Sequence, residues 1–329
     1  MSLAIEFDNI IAAAQRLQGV AVHTPLIENA SLNKAVGCRV LIKPEILQHA
    51  GSFKFRGAYN RLSQLSTAEK QRGVVAWSSG NHAQGIAAAA KLLNINATIV
   101  MPKDAPQIKV QNTLAYGANI HFYDRYTESR EEIGRALTKE KGATLVPSYD
   151  DPDIIAGQGT VGLELAQQAQ ALDVIPQTVL IPCGGGGLCA GSAVAIKKLL
   201  PDSQVWAAEP QDFNDTQRSL MSNEYQSNLP QSRSICDALL APTPGKLTFP
   251  INQKFLTGAL AVDDKEVQQA VYFAWKHLKL VVEPGGAVAL AALLSGKVKI
   301  SKDSECIALV LSGGNVDPEV FQHCLQNGK

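Results

Sequence analysis

Short apolar runs alternate along most of the chain with longer stretches that are rich in alanine or carry apolar residues at helical spacing. Such runs predict buried strands, and such stretches predict helices. In the middle of the chain the predicted strands are Val74–Trp77, Ala97–Met101, Asn119–Tyr123 and Ala143–Val146, and the predicted helices are Gly80–Leu93, Pro106–Tyr116 and Thr127–Lys141. Strands that alternate with helices in this way indicate a parallel sheet covered by helices.

A second set of alternating elements surrounds the first. Its predicted strands are Arg39–Lys43, Thr178–Ile181, Gln204–Ala208 and Cys306–Leu311, and its predicted helices are Asp8–Leu17, Phe55–Leu65, Asp153–Gln170, Leu188–Leu199, Asp264–Leu278, Pro284–Leu294 and Asp317–Leu325. Residues 211–251 are polar and contain prolines, so we predict no regular element there. The sequence therefore predicts an α/β protein built from open, twisted parallel sheets with covering helices.

The composition is that of a globular protein without net charge. Of the 329 residues, 46% are hydrophobic and 18% are charged, which suffices for a large core. The 30 basic residues balance the 30 acidic ones, which argues against a nucleic acid or an anionic membrane held by bulk charge. No apolar run reaches the roughly 20 residues that a membrane span needs.

The N-terminus has neither a basic segment nor an apolar core, so we predict no signal peptide. The six cysteines are scattered and include no Cys-x-x-Cys pair, which is typical of reduced thiols in a cytoplasmic protein. They are Cys38, Cys183, Cys189, Cys236, Cys306 and Cys324.

Lys54 has apolar neighbours, because it lies between Phe53 and Phe55 at the start of a predicted helix. Burial and the N-terminus of a helix both disfavour the ammonium form of a lysine. A neutral lysine can condense with an aldehyde, which is how proteins hold pyridoxal phosphate. The alternative is a lysine whose stem covers the two phenylalanines while its charge stays in water.

Four consecutive glycines lie between a predicted strand and a predicted helix. They let backbone N–H groups approach an anion, and the helix dipole adds to the attraction. The predicted phosphate-binding residues are Gly184, Gly185, Gly186, Gly187 and Leu188. No Gly-Lys-Ser/Thr follows, which excludes a P-loop. A dinucleotide fingerprint remains an alternative, because Gly185, Gly187 and Ala190 read G-x-G-x-x-A and Glu209 ends the next strand.

Two further motifs follow predicted strands. Ser78-Ser79-Gly80-Asn81-His82 opens a helix, and its free N–H groups suit the α-carboxylate of an amino acid. For His82 we favour a hydrogen-bonded position at the helix start over a catalytic role. Ser312-Gly313-Gly314-Asn315 ends the last strand, and its composition exceeds what a plain turn requires.

Together, the lysine segment, the glycine loop and these two motifs closely resemble the threonine dehydratase and serine racemase family of pyridoxal-phosphate enzymes. The resemblance covers nearly the whole chain, in the family's order and spacing. It implies the tryptophan-synthase-β-like fold, with a small domain of residues 73–150 inserted into a large domain of residues 1–72 and 151–329. It also implies a homodimer that acts on a small amino acid.

The resemblance assigns roles to individual residues. Lys54 would be the catalytic lysine, beside Phe53. Asn81 would contact the cofactor's ring oxygen and Ser312 its pyridine nitrogen, with Glu283 near the ring. The substrate would be bound by Ser78, Ser79, Gly80, Asn81, His82 and Arg130. The implied reaction is elimination of water from L-threonine or L-serine, which gives a 2-oxo acid and ammonia.

Two residues leave the reaction open. Threonine dehydratases usually carry alanine where this chain has Ser79, whereas serine racemases carry serine. Its hydroxyl either reprotonates the α-carbon, which would give D-serine, or merely caps the helix. Arg130 lies in a segment similar to that of 3-hydroxyaspartate dehydratases, whose substrate offers a second carboxylate to an arginine. The alternative is an arginine on the surface of a helix.

Two departures from the family pattern put the substrate preference in doubt. Cys236-Asp237-Ala238 stands where members often have Ala-Asp-Gly, and Gly285 stands where many have threonine or serine. The competing functional classes are a nicotinamide-dependent dehydrogenase and an amino-acid sensor without catalysis.

The segment from Glu209 to Asp215 matches the spacing of the family's metal loop. The carboxylates of Glu209 and Asp215 and the backbone carbonyl of Phe213 are hard oxygen ligands suited to Mg²⁺ or Ca²⁺. The alternative is a solvated acidic loop.

Overall fold

The computed structural model describes residues 3–299 and 306–329. The strands in these residues are β1 Ile27–Glu28, β2 Arg39–Pro44, β3 Val74–Trp77, β4 Ala97–Pro102, β5 Asn119–Tyr123, β6 Thr144–Leu145, β7 Thr178–Pro182, β8 Gln204–Pro210, β9 Gly258–Val262 and β10 Cys306–Leu311. The helices are α1 Phe7–Leu17, α2 Ala30–Val36, α3 Lys54–Ser63, α4 Thr67–Arg72, α5 Asn81–Leu92, α6 Gln107–Ala115, α7 Arg130–Lys141, α8 Pro152–Ala171, α9 Gly187–Leu199, α10 Asp215–Ser222, α11 Thr248–Phe255, α12 Asp264–Phe273, α13 Pro284–Leu294 and α14 Pro318–Asn327.

The larger sheet has the strand order β1-β2-β10-β7-β8-β9. All its neighbouring strands are parallel except β1 and β2. Val40 in β2 lies opposite Ile307 in β10, so the sheet joins both ends of the chain. Since parallel strands end at the same edge, the segments that follow β2 and β10 are brought together there.

The smaller sheet is fully parallel, with the order β5-β4-β3-β6. It runs from Val74 to Leu145, inside the span of residues 73–150 assigned to an inserted domain. The predicted fold class, two parallel sheets with covering helices, is confirmed. The domain boundaries themselves stay a prediction.

Close packing of α8 against α9 fixes the helix that follows the glycine loop. A Cβ on Gly159 would come within 2.8 Å of the carbonyl oxygen of Gly191, and a Cβ on Gly162 would come within 2.6 Å of the Ser192 backbone. These small residues let the two helix backbones approach closely. The N-terminus of α9 is therefore held rigidly against the body of the protein.

Some elements differ from the sequence-based predictions. Residues 211–251 contain α10 and the start of α11, and the predictions also missed α2, α4, β1 and β9. Helix α7 begins at Arg130 rather than Thr127, because the Ser129 side chain caps it by accepting a bond from Glu132 N. Helix α1 is capped by Glu6 rather than Asp8. Among the residues described, no helix has both the length and the apolar character needed to cross a membrane.

Candidate active site

Lys54 is the first residue of α3. Its Nζ donates a 2.9 Å hydrogen bond to the carbonyl of Ser148, beyond β6, and lies 5.2 Å from the centre of the Phe53 ring. Lys54 is half-buried, and we refer to the region between Lys54, the start of α5 and the glycine loop as the cleft. Loss of water around it lowers its pKa to about 8, although the charge of Glu283 acts in the opposite direction. Lys54 is thus close to neutral at a mildly basic pH.

The Ser312 motif lies directly beside the lysine segment. The backbone N–H of Phe53 donates to the carbonyl of Ser312 at 3.1 Å, and Ser52 pairs with Gly313 in an isolated bridge. This contact follows from the pairing of β2 with β10, because each segment leaves the sheet at the same edge. Ser312 is buried, with 4% of its surface exposed.

Asn81, Glu283 and Asn315 form a buried network at the start of α5. The Asn81 amide nitrogen donates to Glu283 Oε1, and its amide oxygen accepts a 2.8 Å bond from Asn315 Nδ2. Asn315 also donates to the carbonyl of Ala50 at 2.7 Å. Burial raises the pKa of Glu283 to about 7, and nearby lysine charges act against this. Asn315 belongs to the motif that begins at Ser312, but the sequence alone did not identify it as a site residue.

The glycine loop forms a cradle that side chains would fill. Gly186 has φ +91°, a conformation that favours glycine, and α9 begins at the next residue. A Cβ on Gly185 would lie 2.4 Å from the ring of Tyr149, and one on Gly187 would lie 2.6 Å from Gln158 Oε1. The first N–H groups of α9 have no partners within the helix. The loop is therefore shaped for an anion such as phosphate.

Buried polar atoms without hydrogen-bond partners gather around the cleft. Within the described residues they include Ser52 Oγ, His82 Nδ1, Gln158 Oε1 and Glu283 Oε2. Such atoms are uncommon in folded proteins, and each indicates a missing partner. Together with the glycine cradle and Lys54, they fit a ligand that carries an aldehyde, a phosphate and ring heteroatoms. The residues present thus fit the cofactor that the resemblance implies.

The start of α5 lies at the same cleft. Its N-cap is Gly80, without a side-chain capping bond, so the interpretation of Ser79 as a helix cap is wrong. Ser78 Oγ accepts from the Gly80 N–H at 3.2 Å. His82 Nε2 lies 3.2 Å from the carbonyl of Val146. Burial, with the Lys54 charge, lowers the pKa of His82 to about 3, so its ring is neutral.

Arg130 is the first residue of α7. Its side chain is 44% exposed and forms a 2.8 Å ion pair with Glu131. Its charge also lowers the pKa of the Tyr149 phenol, although burial of that group acts more strongly in the opposite direction. The ring of Tyr149 lies against Gly185, and the role of Arg130 in substrate binding stays a prediction.

Lys109 was missed by the sequence analysis. It lies in α6 with 2% of its side chain exposed, and its Nζ donates to Asp237. Its flanking residues, Ile108 and Val110, are apolar, which is the same signal that drew attention to Lys54.

The three predicted metal ligands, Glu209, Phe213 and Asp215, are buried, although Asp212 between them is exposed. Glu209 accepts the backbone N–H groups of Thr216 and Gln217 at 3.0 and 2.8 Å, so both its oxygens cap α10. Burial raises the pKa of Glu209 to about 8, and the charge of Asp215 adds to the rise. Within the described residues, no group of three His, Cys, Asp or Glu side chains could hold a metal. Glu209 accepts backbone N–H groups of α10 with both oxygens, which is not the arrangement of a ribose-binding carboxylate and disfavours the dinucleotide alternative.

Comparisons with known proteins point to one family over nearly the whole chain. A family model for pyridoxal-phosphate dependent enzymes matches residues 18–313. The L-threo-3-hydroxyaspartate ammonia-lyase of Pseudomonas sp is 43% identical over 320 residues, which cover 97% of this chain and 98% of that protein. The structure of maize serine racemase is similar with a TM-score of 0.91 and 37% identity, over 98% of this chain and 97% of that one. The structure of T.th. threonine deaminase is similar with a TM-score of 0.89 and 40% identity, over 95% of this chain and 99% of that one.

Proposed function

The chain belongs to the pyridoxal-phosphate-dependent enzyme family, and from this premise we propose that it is an ammonia-lyase acting on small L-amino acids with a β-hydroxyl. L-Threonine or L-serine would lose water and yield a 2-oxo acid and ammonia. One observation carries the proposal: Lys54, with its pKa lowered to about 8, lies in the same cleft as the Asn81–Glu283 pair.

The residues of the cleft would hold the cofactor at four points. The glycine loop would hold its phosphate, Lys54 its aldehyde carbon, Asn81 its ring oxygen and Ser312 its ring nitrogen. When bound, pyridoxal phosphate supplies an electron sink beside the α-carbon of the substrate. Ser312 offers the ring nitrogen a neutral hydroxyl rather than a carboxylate. A neutral partner weakens that sink, which favours prompt loss of the β-hydroxyl.

Lys54 and the start of α5 would act on the substrate itself. Once the substrate is bound, the neutral amine of Lys54 takes the proton from the α-carbon, and its lowered pKa makes the free amine available. The Ser78 and Gly80 N–H groups already donate to Val100 and Ser78 Oγ, so the N–H groups of Ser79, Asn81 and His82 would receive the α-carboxylate. His82 remains neutral and donates from Nε2 to the carbonyl of Val146, so it orients the segment without taking part in proton transfer.

Two residues bear on the choice of substrate. The relatives include an L-threo-3-hydroxyaspartate ammonia-lyase and a serine racemase, and both activities are alternatives for this chain. Arg130 would offer a guanidinium to a second carboxylate. Ser79 has a hydroxyl that no helix-capping bond occupies, so it is available to return a proton to the α-carbon.

The decisive experiment is a comparison of 2-oxo acid formation from L-threonine, L-serine and L-threo-3-hydroxyaspartate, each as kcat/KM. A ranking led by threonine or serine supports the proposed activity. A ranking led by hydroxyaspartate moves the assignment to that branch. Slow elimination from all three substrates, with formation of D-serine, would assign a racemase.

Two variants separate these outcomes. Arg130→Met should raise KM for hydroxyaspartate about tenfold or more and leave the constants for threonine nearly unchanged if the guanidinium binds the second carboxylate. Arg125→Met is the matched control, because Arg125 is equally exposed and pairs with Asp104. Ser79→Ala should suppress D-serine formation while elimination continues.

We also propose that Glu209, Asp215 and the Phe213 carbonyl bind Mg²⁺ or Ca²⁺. The support is the burial of both carboxylates and the buried Asp215 Oδ2, which has no hydrogen-bond partner among the described residues. A cation that binds the folded state should raise Tm. Asp215→Asn should remove the Mg²⁺-dependent rise, whereas Asp212→Asn, at an exposed position, should keep it. An unchanged wild-type Tm with both cations would contradict this site.

The resemblance further supports a homodimer, which sedimentation equilibrium of the purified protein would test.

All six cysteines are free, which supports a reducing compartment such as the cytoplasm.

A further inference from the structure

Lys109 is a second buried lysine at the cleft. Only 2% of its side chain is exposed, which is unusual for lysine without a compensating charge. Its Nζ donates to a carboxylate oxygen of Asp237 and lies 3.9 Å from Glu283 Oε2. A Cβ on Gly80 would lie 3.9 Å from the same nitrogen, so the ammonium is next to the start of α5.

The pair of Lys109 and Asp237 joins the two sheet units. Helix α6, which carries Lys109, follows β4 of the smaller sheet. Asp237 begins a short 3-10 turn, Asp237–Leu239, in the chain that leads from α10 to α11 beside the larger sheet. The two partners differ in exposure, since the side chain of Asp237 is 45% exposed. The pair therefore spans the cleft with the carboxylate near solvent.

Glu283 depends on the same ammonium. Its Oε1 accepts from Asn81, while its buried Oε2 has no hydrogen-bond partner in the described part of the chain. Burial raises the pKa of Glu283 to about 7, and the charge of Asp237 adds to the rise. Among the influences that lower this pKa, the charge of Lys109 is the strongest, ahead of Asn81 and Lys54.

The pKa of Lys109 is raised, because the carboxylates outweigh the effect of its burial. Those carboxylates are Glu283, Asp237 and the more distant Asp317. Lys109 is therefore a cation at the pH at which Glu283 is losing its proton.

We propose that Lys109 is a positioning residue. Its ammonium forms an ion pair with Asp237 across the cleft and keeps Glu283 in its carboxylate form. Glu283 in turn orients the Asn81 amide towards the cofactor ring. This role rests on the proposed function, since it concerns the same cofactor. A carboxylate only accepts hydrogen bonds, so the Asn81 nitrogen must face it. If Glu283 takes up a proton, that preference is lost.

The test measures the affinity of the apoenzyme for pyridoxal phosphate by absorbance from pH 5 to 9. The four proteins compared are the wild type, Lys109→Met, Glu283→Gln and the double variant. Wild-type affinity should fall as the pH drops and Glu283 protonates. Loss of the Lys109 charge raises the pKa of Glu283, so Lys109→Met should move that fall to higher pH by about one unit and weaken binding about tenfold near pH 7. In the Glu283→Gln background, Lys109→Met should change affinity about twofold or less.

The outcomes are separable. Lys109→Arg keeps the charge and should restore the wild-type pH profile. Lys103→Met removes an exposed lysine of the same segment and should change nothing. An equal loss of affinity in both Glu283 backgrounds, without a shift of the pH profile, would assign Lys109 a structural role only and overturn the inference. Failure of the wild-type apoenzyme to take up pyridoxal phosphate would instead overturn the proposed function.

Discussion

Asn315 donates a 2.8 Å hydrogen bond from its side-chain nitrogen to the side-chain oxygen of Asn81. The Asn81 oxygen is thereby occupied, and its nitrogen is left for Glu283 and the cleft. Asn315 is itself fixed by the carbonyl of Ala50, four residues before Lys54. The segment that carries Lys54 and the start of α5, which carries Asn81, are therefore coupled through one amide.

Removal of this amide should weaken cofactor binding without loss of the fold. Asn315→Ala leaves the Asn81 oxygen and the Ala50 carbonyl unpaired, and an unsatisfied buried group costs about 1–3 kcal/mol. We expect the affinity of the apoenzyme for pyridoxal phosphate to fall about tenfold or more, as measured by fluorescence titration. An affinity equal to that of the wild type would show that Asn81 is oriented by Glu283 alone.

Gly285 and Ala238, one residue from each of the two departures from the family pattern, lie against each other. A Cβ on Gly285 would come within 3.1 Å of the Ala238 Cβ, which is tighter than an ordinary contact. Gly285→Ser should therefore destabilise the protein by about 1 kcal/mol or more, and Ala238→Gly in the same chain should relieve most of that loss. Urea unfolding of the two single variants and the double variant measures this. Additive effects would mean that the two sites are independent.

The pKa of Lys54 predicts how cofactor capture depends on pH. Its ordinary pKa is 10.5, and burial lowers it to about 8. The reactive species is the neutral amine, so the rate of capture should rise with pH through about 8 and then level off. Stopped-flow absorbance of the apoenzyme mixed with pyridoxal phosphate gives this profile. A rate that still rises steeply above pH 9 would indicate an ordinary, solvated lysine.

Arg56 anchors the helix that presents Lys54. It is fully buried and bonds Glu45 at 2.7 and 2.8 Å and Glu164 at 2.6 and 2.9 Å. Arg56→Met leaves the buried Glu45 carboxylate without its cation, whereas Glu164 keeps Lys43, and should lower the free energy of unfolding of the apoenzyme by about 3–5 kcal/mol.

Arg61→Met is the control for this variant in the same helix. The Arg61 side chain is 21% exposed and pairs with Asp151 at 3.2 Å. Its loss should cost about 1 kcal/mol or less. Equal losses of unfolding free energy in the two variants, measured by chemical denaturation, would contradict the larger contribution assigned to the buried Arg56 network.

The pattern of apolar and polar residues predicted most of the strands and helices of the fold. Runs such as Val74–Trp77 and Cys306–Leu311 are apolar throughout and lie in parallel sheets buried on both faces. Strand β9, Gly258–Val262, was missed because glycine and alanine give it weak strand character. Helix α10 was missed because its N-terminus is capped by Glu209, a residue from the preceding strand that the sequence suggested for another role.

The site was predictable where a motif is continuous in the chain. Lys54, the glycine loop and Ser312 could each be proposed as site residues from the residues next to them in the sequence. Lys109, Tyr149 and Asn315 contact residues far away in sequence, which are Asp237, Gly185 and Asn81. Neither spacing nor composition encodes such a contact, so only the fold reveals it.

The most direct test of the central claim is reduction of the enzyme with borohydride in the presence of pyridoxal phosphate, followed by peptide mapping. The proposed mechanism predicts that the yellow colour is lost and that one peptide, which contains Lys54, carries the reduced cofactor. Lys54→Ala should give no such adduct and no 2-oxo acid formation. An adduct on another lysine, such as Lys109, or full activity of Lys54→Ala, would contradict the assignment of Lys54 as the catalytic residue.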